Sequence, residues 1–199
     1  MWLEKRDVIV LDTETTGLSP TRDRIVQLGL AHFRDGELLA KRSVLVNPGV
    51  PITAETSKIH GIDDAKVADA LKFGDALALL LDGIDLLDAA LLVAHNAEFD
   101  KPFILTEMVR NGCLGPYLAG DWLCTMALAK AIKGVGKYDR GYRLTDLCEK
   151  IGIEFDGAAH DAANDAEASG RLLYALTKWL PETEADVRAK QLVWQNANR

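Results

Sequence analysis

The segment Val8-Ile9-Val10-Leu11-Asp12-Thr13-Glu14-Thr15-Thr16-Gly17-Leu18 decides the fold. Its first four residues form a continuous apolar run rich in β-branched side chains, which suits a strand buried on both faces. Such a strand needs a packed layer on either side of its sheet. Asp12 and Glu14 follow directly. Side chains two apart on a strand share a face, so the two carboxylates converge. Burying them is costly unless they are paired, protonated or bound to a cation. Taken alone, the pair also fits a polar strand end running into the turn Thr16-Gly17-Leu18-Ser19-Pro20.

Outward from this strand, Arg24–Phe33 and Glu37–Val46 flank Asp35-Gly36, a hairpin signal. Asn47-Pro48-Gly49 breaks the chain, and Thr53–His60 reads as a short helix stopped by Gly61. Phe73, Leu77, Leu80 and Leu81 follow helical spacing, and Leu91–Ala94 reads as a short strand. Phe99–Arg110 is expected to be a helix with Pro102 in its first turn and Asn111-Gly112 at its end. Trp122–Thr125 reads as a last strand. Leu144, Leu147, Cys148 and Ile151 share one helical face. Ala162, Ala166, Ser169, Leu173, Leu176 and Leu180 make a longer stripe, ended by Pro181. A run of β elements followed by alternating helices and strands predicts an α/β domain with a mixed, partly parallel sheet and helices packed on it. The expected division is one domain over 1–180 and a helical tail over 181–199. The tail's Ala185, Ala189, Leu192 and Val193 would dock on the domain or on a partner.

The composition bounds the function. The 199 residues are 48% apolar and 27% charged, a globular balance. The longest apolar runs, Ala76–Leu81 and Ala89–Ala94, are far short of the roughly 20 residues a membrane helix needs. Residues Met1–Asp7 hold no apolar signal region. Cys113, Cys124 and Cys148 are odd in number and widely spaced, against a disulfide framework or a CxxC zinc site. A reducing, cytoplasmic protein is therefore expected. With 23 basic against 30 acidic residues the net charge is −7, so bulk attraction cannot hold nucleic acid. Any such contact must be local or bridged by metal ions.

Two further stretches carry chemistry. His95-Asn96-Ala97-Glu98-Phe99-Asp100 follows an apolar strand and opens a helix, where Asp100 also suits the helix dipole. In His160-Asp161-Ala162-Ala163-Asn164-Asp165-Ala166, Asp165 lies four before Ser169 and seven before Leu172, at the edge of the buried stripe. His160 is five residues earlier, about 140° around a regular helix, so it belongs on the preceding loop. Carboxylates from two strand ends and one helix, with one histidine and no cysteine, are a hard-oxygen set suited to Mg²⁺ or Mn²⁺. Without cations four such groups would raise one another's pKa values.

Together, Asp12-x-Glu14-Thr15-Thr16-Gly17-Leu18, His95-Asn96-Ala97-x-Phe99-Asp100 and His160-x-Ala162-x-x-Asp165-Ala166 resemble the DEDDh 3′→5′ exonucleases, within them the DnaQ-like group that includes the proofreading subunit of bacterial replicative polymerase. The resemblance runs over roughly residues 6 to 178 and includes Lys58-Ile59-His60-Gly61-Ile62 and Leu144-Thr145-Asp146-Leu147-Cys148. It implies a ribonuclease-H-like fold and two divalent cations, Mg²⁺ or Mn²⁺. Asp12, Glu14, Asp100 and Asp165 would hold the metals, and His160 would be the general base. Thr15, Gly17, Leu18, Glu55, His60 and Phe99 would contact the terminal nucleotide. Gln27 stands where many relatives carry an acid. The implied activity is release of nucleoside 5′-monophosphates from 3′ ends, with single-stranded DNA the first substrate. An exoribonuclease or oligoribonuclease-like enzyme is the alternative, and a nuclease-fold interaction module a third reading. Only 19 residues follow Leu180, without a glutamine-rich linker, so a freestanding enzyme fits at least as well as a polymerase-bound one. A homodimer is compatible.

The segment Lys133-Gly134-Val135-Gly136-Lys137-Tyr138-Asp139-Arg140-Gly141-Tyr142-Arg143 gathers four basic residues and two tyrosines among glycines. It reads as a locally basic loop, able to hold single strands by phosphate contact and stacking. Replacing Lys137 and Arg140 together by alanine is expected to weaken oligonucleotide binding. The slope of log affinity against log salt should flatten by roughly 1 to 1.5. An unchanged slope in a salt titration would remove this loop from substrate binding.

Overall fold

The computed structural model describes residues 2–84, 90–113, 116–132, 141–154, 160–180 and 183–197. A five-stranded sheet is built from β1 (Asp7–Thr15), β2 (Ile25–Arg34), β3 (Glu37–Leu45), β4 (Leu91–Ala94) and β5 (Leu123–Cys124), in the order β3-β2-β1-β4-β5. The first three strands are antiparallel, and β4 and β5 run parallel to β1. The hairpin between β2 and β3 turns at Asp35 and Gly36, with φ of 55° and 85°. Both residues sit in the left-handed region that a tight two-residue turn requires.

Alternation along β1 divides the core. Ile9 and Leu11 face one side, with Leu28, Leu30 and Leu92. There they meet Phe73, Ala76, Leu77 and Leu80 of α3 (Phe73–Leu81) and Phe103, Ile104 and Met108 of α4 (Ala97–Arg110). Val8 and Val10 face the other side, with Ala31, Phe33, Leu91 and Val93. These pack on Ala166, Leu172, Leu173 and Leu176 of α7 (Ala162–Leu176). Helices therefore cover both faces of the mixed sheet. The shorter α1 (Ala54–His60) and α2 (Asp64–Val67) follow β3. The remaining helices α5 (Thr125–Ala131), α6 (Leu144–Ile151) and α8 (Glu184–Ala197) lie on the α7 side or beside it. α8 is fastened to the sheet end by Gln191, whose side chain accepts from the Cys124 N–H and donates to the Trp122 carbonyl.

Several boundaries differ from the sequence expectation, each for a local reason. β1 continues through both acids because β2 pairs with it as far as Thr15, whereas β4 pairs only with Val8, Ile9 and Val10. α4 starts at Ala97 rather than Phe99, because the Asn96 carbonyl accepts from the Phe99 and Asp100 N–H groups. Pro102 thus falls in the second turn, where its missing N–H removes one helical bond. The strand expected over Trp122–Thr125 is only Leu123–Cys124, since the Cys124 side chain caps α5 at Ala127. α7 ends at Leu176 and passes into a 3₁₀ turn over Thr177–Trp179.

α7 approaches the sheet closely at two glycines. A Cβ on Gly29 of β2 would lie 2.1 Å from the Ala162 backbone, and one on Gly170 would lie 2.2 Å from the Phe33 ring. The first contact is backbone against backbone and cannot yield by a side-chain rotation. Gly29→Ala is therefore expected to destabilise the fold by about 1–3 kcal/mol or more in urea denaturation, the usual range for overpacking. A neutral effect would contradict this account of how α7 is seated.

Candidate active site

β4 stops before Asp12, and the sheet opens there. Past Val10 the β4-facing edge of β1 has no strand partner, so the Thr13 N–H is not used by that ladder. Asp100, in the first turn of α4, fills the gap. Its Oδ1 accepts from the Thr13 N–H (3.1 Å) and from the Thr13 hydroxyl (2.8 Å). This crevice lies at the carboxyl ends of adjacent parallel strands, where open α/β sheets commonly bind ligands.

On the α7 side of β1, Asp12 and Glu14 point toward the start of α7. Ligand atoms of Glu14, His160 and Asp165 all lie within 4.8 Å of one another. His160 sits in the turn before α7 with φ of 67°, exposed to solvent. Its backbone N–H donates to Asp165 Oδ2 (3.2 Å). Asp165 Oδ1 is buried and has no hydrogen-bond partner among the described residues.

The electrostatics follow from this crowding. Burial is the largest cause throughout, reinforced by neighbouring carboxylates. It pushes Asp12 well above the usual range, with Asp100, Asp165 and Glu14 adding to the shift. Glu14 rises to about 8, through burial and then Asp165 and Asp100. Asp100 rises to about 7, although the Thr13 hydrogen bonds pull it back. Asp165 is raised by burial and drawn down by His160. Hard oxygen donors, one imidazole and an unsatisfied buried carboxylate oxygen fit a divalent cation.

The other sequence-marked residues divide into two groups. Thr15 is buried, and its hydroxyl donates to the Gly17 carbonyl (2.6 Å). Leu18 projects from the same loop with 85% of its surface exposed. His60, at the end of α1, is half-buried. Its Nδ1 accepts from the Ile62 N–H, and burial lowers its pKa, with the Thr15 backbone opposing and His160 nearby. Phe99 stacks on Phe103 at 4.8 Å between centroids, which ties it to the core as well as to the crevice rim. Glu55 is exposed on α1, and among the described residues no hydrogen bond joins it to the acids. Of the basic loop, residues 133–140 lie outside the described residues.

Three further residues make defined contacts around the site. Thr13 orients Asp100, across 87 residues of chain. Gln27, opposite Glu14 in the β1–β2 register, accepts from the Ala162 N–H and donates to Asp161, which caps α7. Buried His95 has a pKa lowered to about 4 by burial. It contacts the Tyr142 carbonyl through Nε2 (2.9 Å) and the Thr125 hydroxyl through Nδ1 (2.8 Å). A carbonyl only accepts, so Nε2 carries the proton and Nδ1 accepts. A registered neighbour of Glu14 was a usable sign for Gln27. For Thr13 no sign existed, since it occupies the spacer of the acidic pair.

The exonuclease family model RNase_T matches residues 9–173. A DNA polymerase III subunit epsilon-like protein of Rhodobacter capsulatus is 36% identical over 185 residues, covering 87% of this chain and 25% of the relative. The 3′-5′ exonuclease DinG of Bacillus subtilis is 31% identical over 180 residues, covering 89% of this chain and 18% of the relative. The chain thus spans a quarter or less of the length of these relatives. Among solved structures, exonuclease X in complex with 5′ overhanging duplex DNA superposes with a TM-score of 0.71 at 26% identity, covering 92% of this chain and 99% of that one.

Raised carboxylate pKa values carry a definite sign for stability. The folded protein keeps protons that the unfolded chain releases near pH 4, so the metal-free fold is favoured at low pH. That advantage is lost as pH rises from about 4 through the folded values of about 7 for Asp100 and about 8 for Glu14. The melting temperature of the metal-free protein is expected to fall over this window. Added Mg²⁺ should raise it, and by more at pH 8 than at pH 5. A Mg²⁺ response independent of pH in a thermal-shift series would contradict the shared acidic site.

Proposed function

The chain belongs to the exonuclease family, and from that premise we propose that it hydrolyses phosphodiester bonds at 3′ ends, releasing nucleoside 5′-monophosphates. The observation that carries this reading is the convergence of Glu14, His160 and Asp165 within 4.8 Å, beside half-buried Asp12 and buried Asp100. DNA is the proposed substrate class. Support comes from the DNA bound to exonuclease X and from the polymerase III relative. Among the described residues no helix is long and apolar enough to cross a membrane.

Asp12, Glu14, Asp100 and Asp165 would hold two divalent cations, Mg²⁺ or Mn²⁺. When bound, these supply positive charge that offsets both the carboxylates and the negative charge gathering on the scissile phosphate. The chain's own groups do the rest. His160 takes the proton of the attacking water, a role suited to an imidazole that is exposed and unconstrained by a helix. Its backbone N–H on Asp165 keeps the turn at the site while the ring stays free to move. Thr13 fixes the Asp100 carboxylate, so one of its oxygens is already oriented before substrate arrives. Leu18, His60, Thr15, Gly17, Glu55 and Phe99 are proposed to enclose the terminal nucleotide. Leu18 offers an apolar face for a base, and half-buried His60 a ring nitrogen near the Thr15 backbone.

The test is degradation of 5′-labelled single-stranded DNA and RNA of one sequence with Mg²⁺ or Mn²⁺. A ladder shortening from the 3′ end is expected on DNA. It should be absent with Asp165→Ala and slowed roughly 10²–10⁴-fold with His160→Ala. A ladder on RNA alone would move the substrate to the exoribonuclease reading. No ladder on either strand, or one unaffected by Asp165→Ala, would overturn the assignment.

A further inference from the structure

The loop joining β1 to β2 is fastened more firmly than a solvent-exposed connection requires. Thr16 and Arg24 close its neck: the Thr16 N–H donates to the Arg24 carbonyl (2.8 Å), and the Arg24 N–H to the Thr16 hydroxyl (3.0 Å). Inside it, the Ser19 N–H donates to Asp23 Oδ2 (2.7 Å), and the Arg22 and Asp23 N–H groups donate to the Ser19 carbonyl. Gly17 fits here because a Cβ would lie 2.5 Å from the Asp23 carboxylate.

A buried carboxylate on α4 then grips this loop from outside. The Glu107 side chain is 1% exposed. It accepts from Arg24 through Nε and Nη2, from Arg110 Nη1 (3.2 Å) and from Asn111 Nδ2 (3.0 Å). Two guanidiniums on one carboxylate leave a surplus of donors. Arg110 spends them on the loop backbone, donating to the Asp23 carbonyl (2.9 Å) and the Thr21 carbonyl (2.5 Å). Buried ion pairs are weak sources of net stability, because desolvation consumes most of their attraction. What a forked, fully hydrogen-bonded network supplies instead is fixed geometry.

The geometry it fixes matters because of what lies at each end. The same helix presents Phe99 and Asp100 at its N-terminal end and Glu107 and Arg110 near its C-terminal end. The loop it holds carries Leu18, 85% exposed on an otherwise well-bonded segment beside Glu14. An exposed apolar side chain on a stiff loop recovers hydrophobic energy only by covering an apolar surface of a ligand. A loop already ordered in the free protein loses little further freedom on binding.

We propose that Glu107, Arg24 and Arg110 clamp the Leu18 loop to α4 at a set distance from the acids, and that Arg110 is thereby a positioning residue for the terminal nucleotide. The inference rests on the exonuclease reading above and assigns to it a source of substrate affinity outside the site. The clamp contributes to binding and not to the chemical step, so it acts on KM.

The experiment compares wild type with Arg110→Ala and Arg110→Lys. It measures steady-state kinetics on single-stranded DNA and amide hydrogen exchange at Ser19, Arg22 and Asp23. Arg110→Ala is expected to raise KM about tenfold with kcat within twofold, and to speed exchange at these loop amides while core strands stay protected. Arg110→Lys, which keeps the charge but lacks the fork, should fall between. Adding Arg110→Ala to Leu18→Ala should raise KM little beyond Leu18→Ala alone. Unchanged exchange would overturn the clamp itself. Faster exchange with unchanged KM, or equal losses in kcat and KM, would overturn its role in positioning. Absence of turnover by the wild-type protein on any strand would overturn the exonuclease reading and this inference with it.

Discussion

Four carboxylates share one crowded, partly buried corner of this protein, and their mutual repulsion is the constraint around which the rest is arranged. Like charges in a poorly solvated site must either hold protons or be neutralised by cations. The structure leaves both routes visible: Glu14 and Asp100 rise to about 8 and about 7, and a buried oxygen of Asp165 has no partner among the described residues. A fold that maximised its own stability would not assemble such a cluster. Its persistence is intelligible as strain held for a ligand of high positive charge.

The assembly depends on unequal strand lengths. β1 is long because β2 supports it throughout, while β4 ends beside Val10. The edge left open admits Asp100, which takes the backbone N–H that a longer β4 would have used. From the other face, α7 is pressed onto β2 at Gly29 and held at its start by Gln27 and the Asp161 cap. That seating brings Asp165 and the preceding His160 turn against Glu14. Packing on both faces of one strand thus sets the spacing of groups whose electrostatics oppose being together.

Much of this was legible in the sequence, and what was not has physical reasons. Alternation around Val8–Leu11, the Asp35-Gly36 hairpin and the stripe of α7 were strong periodic signals, and they led to a mixed sheet covered on both faces. Asp12 and Glu14 stood out as acids following an apolar strand, Asp100 as an acid at a helix start, and Asp165 with His160 at the edge of a buried helical stripe. The helix over Thr125–Ala131 was not visible, since its start is set by a cysteine side chain acting as a cap. Thr13 and the Glu107 clamp were also hidden. Their partners lie on other elements, and a threonine or a helical glutamate carries no mark of a distant hydrogen bond. Local pattern marked the acids and the histidine that the fold brings together, while several of the contacts that hold them in place emerged only from the packed structure.

We propose that the acidic corner holds divalent cations against a nucleotide phosphate. The most direct measurement is a crystal structure grown with Mn²⁺ and a nucleoside 5′-monophosphate, with metal located by anomalous scattering. Mn²⁺ peaks are expected within the set Asp12, Glu14, Asp100 and Asp165, with the phosphate against them and Leu18 over the base. A corner free of Mn²⁺ at saturating concentration, or metal bound only away from these four residues, would contradict it.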